Sequence, residues 1–392
     1  MTIEIRSANT SDIDAICELL VERLEEEDGP EARMILEGDG PRDWWVGTVD
    51  GAIGSTMMVH PVLYRIGSVT VPGNQVEFVA TYERYAGRGL VRRQFEAATE
   101  AMLKRGELIS MIVGIPYFYR RFGYEYAVTV PDMQVIRAGV ELPTDGTLVL
   151  SEATVDDVRD IQELQASAQE SADVAASFPD DVRRWFVESP NYRSVIARQA
   201  GTPVGMVRAY HADDEMWVFE VVASQPEVLG SLLSAVRGTG SIGVLHRPAS
   251  PAGVFIGSFG ETSDNTEAYY GKVLDTEALL NALRPTFDQR LAVAGLDDLT
   301  HPWMLSTYEA SYRADIANGT FGPITSGPGI QAPVSNGGSG VPPDLMATMI
   351  LGRDGITELN RWHGDVYLGK QAAIMDALFP PQEVDILTWI VP

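Results

Sequence analysis

The 392-residue sequence predicts an α/β (α+β) protein of two or three domains, and three observations lead there. A chain of this length exceeds what one ordinary core encloses. It opens with a β-α-β-β order of apolar patterns, and that opening recurs 145 residues later. From about Asp275 the pattern changes again. Domain limits at 1–145, 146–275 and 276–392 follow.

In the first segment Ile3 and Ile5 alternate as in a strand, and Ser11 and Asp12 offer a helix N-cap. Ile13, Ile16, Leu19, Leu20 and Leu24 then recur at helical spacing. Two strand-like runs, 44–49 and 53–59, are parted by Asp50-Gly51, a hairpin turn. Residues 76–81 read as a further strand, and 90–105 as a helix with Phe95, Ala98, Met102 and Leu103 on one side. A strand at 109–113 and a loop carrying Pro116 and Gly123 come next.

The repeat lays Ile5 to Ile16 over Leu150 to Ile161, with Asp12 over Asp157 and Leu19 over Leu164. The hairpin recurs less strictly, Trp45 to Gly54 resembling Ile196 to Gly205. Helix and hairpin return in the same order, which favours duplication over chance. Beyond 275, Leu279, Leu280, Leu283, Phe287 and Leu291 predict a helix kinked at Pro285. Residues 303–308 and 311–316 read as strands, 344–351 and 370–378 as helices, and 386–391 as a last strand. A Gly/Pro/Ser-rich loop over 322–343 is either a flexible tip or a pocket cover.

The formal charge is −26, from 55 acidic and 29 basic residues. Such a field repels nucleic acid and anionic membranes and attracts cationic small molecules, so no nucleic-acid or membrane partner is expected. Cys17 is the single cysteine and lies in an amphipathic run, as a core residue would. His60, His211, His246, His301 and His363 lack metal-ligand spacing, so no metal is expected. The N-terminus has no apolar signal core, and no apolar stretch approaches the ~20 residues of a membrane span. A cytoplasmic location is the expectation.

One stretch departs from the acidic background. Arg84, Arg88, Arg92 and Arg93 cluster where strand becomes helix, around Ala86, Gly87 and Gly89. Small residues let a backbone approach a ligand, and the free N–H groups and dipole of a helix start suit a pyrophosphate. A dinucleotide fold places its glycine turn after the first strand; here it follows a later one, which argues against NAD.

Tyr85-Ala86-Gly87-Arg88-Gly89-Leu90 resembles the Tyr-Arg-Gly-Arg-Gly-Leu of the GCN5-related N-acetyltransferases. The alternative register, Arg84 to Gly89, fits the letter of the family's Gln/Arg-x-x-Gly-x-Gly/Ala, but the first sets the strand at the right distance. In it Ala86 replaces the usual Gln/Arg and Val91 the usual Gly/Ala. Tyr117-Phe118-Tyr119-Arg120-Arg121-Phe122-Gly123-Tyr124 is similar to the segment that holds the family's catalytic tyrosine. The order of domains further resembles the enhanced intracellular survival (Eis) type: a GNAT domain, a degenerate second copy and a sterol-carrier-protein-like domain. Val221 to Glu227, at the equivalent place in the second copy, lacks the glycine turn.

The resemblance implies acetyl transfer from acetyl-CoA to a primary amine of a polyamine, an aminoglycoside or a lysine. Val79, Ala80 and Thr81 would hold the pantetheine, and Gly87, Arg88, Gly89, Leu90, Val91 and Arg92 the pyrophosphate. Gly114 and Ile115 would flank the thioester, and Tyr119 would protonate the sulfur. The base would be the terminal carboxylate of Pro392 or, on the cofactor strand, Glu77. The family implies a homo-oligomer, often a hexamer. The competing expectation is a non-catalytic CoA- or lipid-binding regulatory protein.

Overall fold

The computed structural model describes residues 2–212, 215–259, 261–263 and 268–386, arranged as three sheets with helices against them. In the first sheet β1 (Ile3–Ser7), β2 (Trp44–Val49), β3 (Ala52–Ile66) and β4 (Val69–Thr81) run antiparallel in sequence order. Helices α1 (Ile13–Arg23) and α2 (Asp28–Gly38) lie between the first two strands. Helix α3 (Leu90–Lys104) then crosses over, so β5 (Ile109–Ile112) lies parallel to β4. The strand β6 (Glu125–Thr129) stands at the far edge.

The chain next enters the second sheet through β7 (Met133–Ile136) and β8 (Val149–Glu152), followed by α4 (Val158–Ala168). The strand β9 (Val174–Ser177) returns to pair with β3, and α5 (Asp180–Glu188) follows it. Strands β10 (Tyr192–Gln199), β11 (Thr202–Ala212) and β12 (Glu215–Ala223) are antiparallel. Helix α6 (Pro226–Arg237) crosses to the parallel β13 (Ile242–Leu245), repeating the β4-α3-β5 arrangement. After α7 (Pro251–Ile256) and β14 (Glu261–Ser263), β15 (Ala268–Val273) inserts in the first sheet, between β5 and β6. The two sheets thus exchange strands: β7 is in the second, β9 and β15 in the first.

The repeat read in the sequence recurs in backbone detail. Asn9 with Asp12, and Thr154 with Asp157, form capping boxes at the two helix entries. Both hairpins turn through two left-handed residues, Asp50 and Gly51 at φ 49 and 87, and Ala200 and Gly201 at φ 49 and 86. Each also shifts register just before its turn, at Gly47/Thr48 and at Ala197/Arg198.

The remainder packs α8 (Thr276–Ala282), α9 (Arg284–Val293), α10 (Met346–Leu351), α11 (Gly355–Trp362) and α12 (Ala372–Leu378) with a small sheet. That sheet comprises β16 (His301–Ser306), β17 (Ala310–Ala317), β18 (Thr320–Phe321), β19 (Thr325–Pro328) and β20 (Ser339–Gly340). The single kinked helix expected near Pro285 is two helices, because the ring at the head of α9 cannot continue the ladder of α8. Part of the expected 322–343 loop is β19, paired to β17. A short β21 (Val384–Asp385) pairs with β9; of the strand expected at 386–391, Ile386 is buried outside any strand and the rest lies outside the described residues.

One apolar cluster runs from α1 through the first sheet to Leu279, Phe287, Met346 and Phe379. Cys17 sits in it, and burial pushes its thiol up, as a core residue requires. His60 is fully buried, and burial lowers its pKa to about 4. The second sheet is tied in by buried ion pairs, Arg183 to Glu220 at 2.6 Å and Arg247 to Asp385 at 2.6 Å.

Candidate active site

The site begins where two parallel strands part. β4 and β5 pair only at Gly73/Ile109, Asn74/Ser110 and Gln75/Met111. Gly73 is required there, since a Cβ would stand 2.5 Å from the Ile109 carbonyl. Below the fork, Asn74 Nδ2 donates to Glu107 Oε2 at 2.6 Å, and Ser110 Oγ to Asn74 Oδ1 at 2.6 Å. Ser110 also meets the Tyr124 hydroxyl at 2.7 Å. This buried network anchors the strands at the point from which they splay.

Above the fork β4 bulges. Met58 faces Glu77 and Thr56 faces Ala80, so β4 holds one residue more than β3 over this span. Phe78 takes it up at φ 52, a left-handed conformation costing an aromatic residue on the order of 1 kcal/mol. Its ring stacks on Trp44 with centroids 5.2 Å apart, which offsets that cost. The bulge turns backbone polar groups out of the ladder and toward the gap.

A cavity of about 400 Å³ fills the gap. Its walls are residues 76–79 of β4, 112–115 leaving β5, Tyr119, and Arg23, Leu24, Glu25 and Asp28 from the α1–α2 link. Glu77 is half-buried there, and burial pushes its carboxyl up to about 8 although Gln75 Nε2 donates to it at 2.5 Å. Tyr119 begins a short 3-10 turn and is 4% exposed. Burial first, and then the neighbouring Glu77 carboxylate, raise its phenol above the ordinary value, so it keeps its proton at neutral pH. Gly114, at φ 153, passes so close that a Cβ would lie 3.3 Å from the Tyr119 hydroxyl.

The glycine turn lies on the other side of that 3-10 turn. Gly87 and Gly89 have φ 73 and 76, and a Cβ on either would meet nothing within 4 Å. Their absent side chains therefore answer a backbone requirement, with open space in front. Gly89 heads α3 and, having no side chain, leaves its first turn without a side-chain cap. A second cavity, about 310 Å³, is bounded by Thr81, the turn from Tyr85 to Arg92, Phe118, Arg121 and Phe122. Arg84 lies over the Tyr82 ring at 4.0 Å and Arg121 over Phe118 at 4.8 Å, which orders the guanidinium groups at the rim.

The residues picked from sequence thus divide between two adjoining cavities. Val79, Gly114, Ile115, Tyr119 and Glu77 line the first; Thr81, Gly87, Arg88, Gly89, Leu90, Val91 and Arg92 line the second. Ala80 is buried on the strand between Val79 and Thr81. Pro392 lies outside the described residues. Sequence reasoning missed Glu25 and Asp28, which sit on a helix link, and the bulge at Phe78, which an apolar strand pattern does not reveal. Among the described residues no group of three or more His, Cys, Asp or Glu could hold a metal ion.

Residues 4–127 match the family model of the acetyltransferase (GNAT) domain. No curated protein sequence matches the chain. Among solved structures it is similar to a GCN5-related N-acetyltransferase from Kribbella flavida, with 16% identity, a TM-score of 0.71, and coverage of 99% of this chain and 100% of that one. A GCN5-related N-acetyltransferase from Anabaena variabilis gives 12%, 0.75, 98% and 99%. Eis1 from Mycobacterium abscessus gives 17%, 0.65, 99% and 100%. At these identities the likenesses carry the fold alone. The matched domain and the site it contains define the class, an acetyl-CoA-dependent acyltransferase.

Proposed function

We propose that the chain is an N-acetyltransferase of the Eis type, acting on a primary amine of a cationic substrate such as a polyamine, an aminoglycoside or a lysine side chain. One observation carries the reading: Glu77 and Tyr119 share a cavity that adjoins a cradle built for a diphosphate. The cradle fits acetyl-CoA because two left-handed glycines face open space beside uncapped helix amides and exposed arginines.

When bound, acetyl-CoA supplies a thioester whose acetyl group passes to the amine. The backbone of Val79, Ala80 and Thr81 would hold the pantetheine arm, and Gly114 and Ile115 would flank the thioester. Glu77 accepts a proton from the incoming ammonium group. The neighbouring positive charge favours its carboxylate, lowering a pKa of about 8 toward neutrality. Tyr119 would donate its phenolic proton to the departing sulfur and recover the second proton that the nitrogen loses as the amide forms. Glu25 and Asp28 outweigh Arg23 on the same wall, and the net negative charge suits a cationic acceptor. The carboxylate of Pro392 is the rival base.

By the same reading, residues 1–145 are the acetyl-CoA-binding domain, 146–275 a degenerate GNAT copy, and 276–392 a sterol-carrier-protein-like domain. A homo-oligomer, hexameric as in the family resembled, and a cytoplasmic location complete the proposal. No helix of the described residues is long and apolar enough to cross a membrane. Thiol release from acetyl-CoA against a panel of polyamines, aminoglycosides and lysine peptides tests the reading. Turnover with one class is expected; no turnover with any amine, together with no acetyl-CoA binding, overturns it. Light scattering at several concentrations tests the assembly.

A further inference from the structure

Tyr119 is placed by a strand that its own domain does not supply. β15 enters the first sheet from beyond the second sheet, more than 140 residues after Tyr119, and lies outside the matched residues 4–127. Two of its side chains, one strand repeat apart and so on the same face, reach the two ends of the segment carrying Tyr119.

Tyr270 takes the leading end. Its hydroxyl accepts from the Tyr117 N–H at 2.5 Å and lies 3.3 Å from the Ile115 carbonyl and 2.7 Å from the Tyr126 hydroxyl. The ring is fully buried, stacked 4.2 Å from Tyr126 and set edge-on to Tyr119 at 5.5 Å. Tyr117 is left-handed at φ 66, in a turn closed by one backbone bond, Phe118 N–H to the Ile115 carbonyl at 3.2 Å, and the hydroxyl adds a second hold. Lys272 takes the trailing end: its ammonium donates to the Phe122 carbonyl at 3.0 Å, where the 3-10 turn closes. Between them, a Cβ on Gly271 would stand 2.8 Å from Ala347 and 2.9 Å from Ala127, so β15 is pressed between α10 and β6.

We infer that β15 is the clamp that sets the Tyr119 hydroxyl beside Gly114, with Tyr270 and Lys272 as its positioning residues. The second half of the molecule, which lacks the glycine turn, serves the reaction by delivering this strand. The inference rests on the acetyl-transfer reading only for its consequence in catalysis; the clamp itself is a statement about geometry.

The full-length chain tests it. Tyr270→Phe keeps both ring contacts and removes the hydroxyl; Lys272→Met keeps the stem and removes the ammonium. With a saturating amine, kcat is expected to fall about tenfold in Tyr270→Phe and about threefold in Lys272→Met, with Lys272→Arg restoring most of the loss. The acetyl-CoA dissociation constant should rise by less than about threefold, since the glycine turn and the start of α3 are untouched and only Phe118, Arg121 and Phe122 of the cradle wall belong to the clamped segment. Amide exchange of the peptide 113–122 should accelerate in both variants while α3 stays protected. Unchanged kcat in both, or unchanged exchange over 113–122, overturns the clamp. If the wild-type chain turns over no amine and binds no acetyl-CoA, the acetyl-transfer reading fails, and the exchange result still decides for or against the clamp.

Discussion

Two strand–turn–helix units of this molecule share a plan and differ in character. β4 passes through the glycine turn into α3, and β12 passes through Ser224-Gln225 into α6. Each follows a hairpin with a left-handed turn and precedes a parallel strand. Neither helix start has a side-chain cap, but the first turn has two left-handed glycines and exposed arginines. The second has Gln225 extended at φ −109 and Pro226 heading the helix, where no N–H can face a ligand. Its cavity, about 220 Å³, is walled largely by apolar residues such as Leu164, Val204, Val222 and Val228. Two arginines of the second half lie inside instead, Arg183 on Glu220 and Arg247 on Asp385. The shared plan rests on caps, hairpins and buried faces, whereas an anion site rests on a few backbone positions and exposed cations, which can differ without disturbing the sheet.

The sharpest way to break this comparison is at Tyr119. Tyr119→Phe should lower kcat about 10³-fold with acetyl-CoA affinity unchanged, by steady-state kinetics and calorimetry. Next is the interior of the second half. Arg183→Met removes the 2.6 Å partner of Glu220, leaving it Arg208 at 3.9 Å, and should cost about 3 kcal/mol in denaturant unfolding. Acetyl-CoA affinity of the folded fraction should not change; a loss of affinity instead would mean that the second half holds cofactor. The pH profile comes third. A carboxyl raised to about 8 is protonated below that pH and a base only above it. kcat/KM should therefore rise about tenfold per pH unit up to about 8 and then level, and Glu77→Gln should remove the dependence. The smallest effects compare the turns directly. Gly89→Ala imposes a side chain at φ 76 and should weaken acetyl-CoA about tenfold, whereas Gln225→Gly should change binding less than twofold.

What could be read from the sequence was local. Asn9 to Asp12 and Thr154 to Asp157 bond within one turn, and Asp50-Gly51 and Ala200-Gly201 reverse the chain by their own dihedral preferences. The glycine turn belongs to the same kind, because φ near 75 at Gly87 and Gly89 restricts the residue type whatever surrounds it. The clustering of the arginines and the aromatic segment around Tyr119 were legible for a related reason: charge and ring content are visible in a short window.

The rest was decided by pairing across long separations. Nothing in Ala268 to Val273 says that it will lie between β5 and β6 rather than in the second sheet, since an apolar strand fits either. The bulge at Phe78 exists only as a register against β3, and the Glu25–Asp28 wall only because the α1–α2 link meets the fork of β4 and β5. The raised carboxyl of Glu77 likewise follows from burial by residues far along the chain. The sequence by itself determined that a glycine turn at a helix start and a tyrosine in an aromatic segment are present. Only the tertiary structure decided that they line adjoining cavities, because β15, which bonds both ends of the Tyr119 segment, comes from beyond the second sheet.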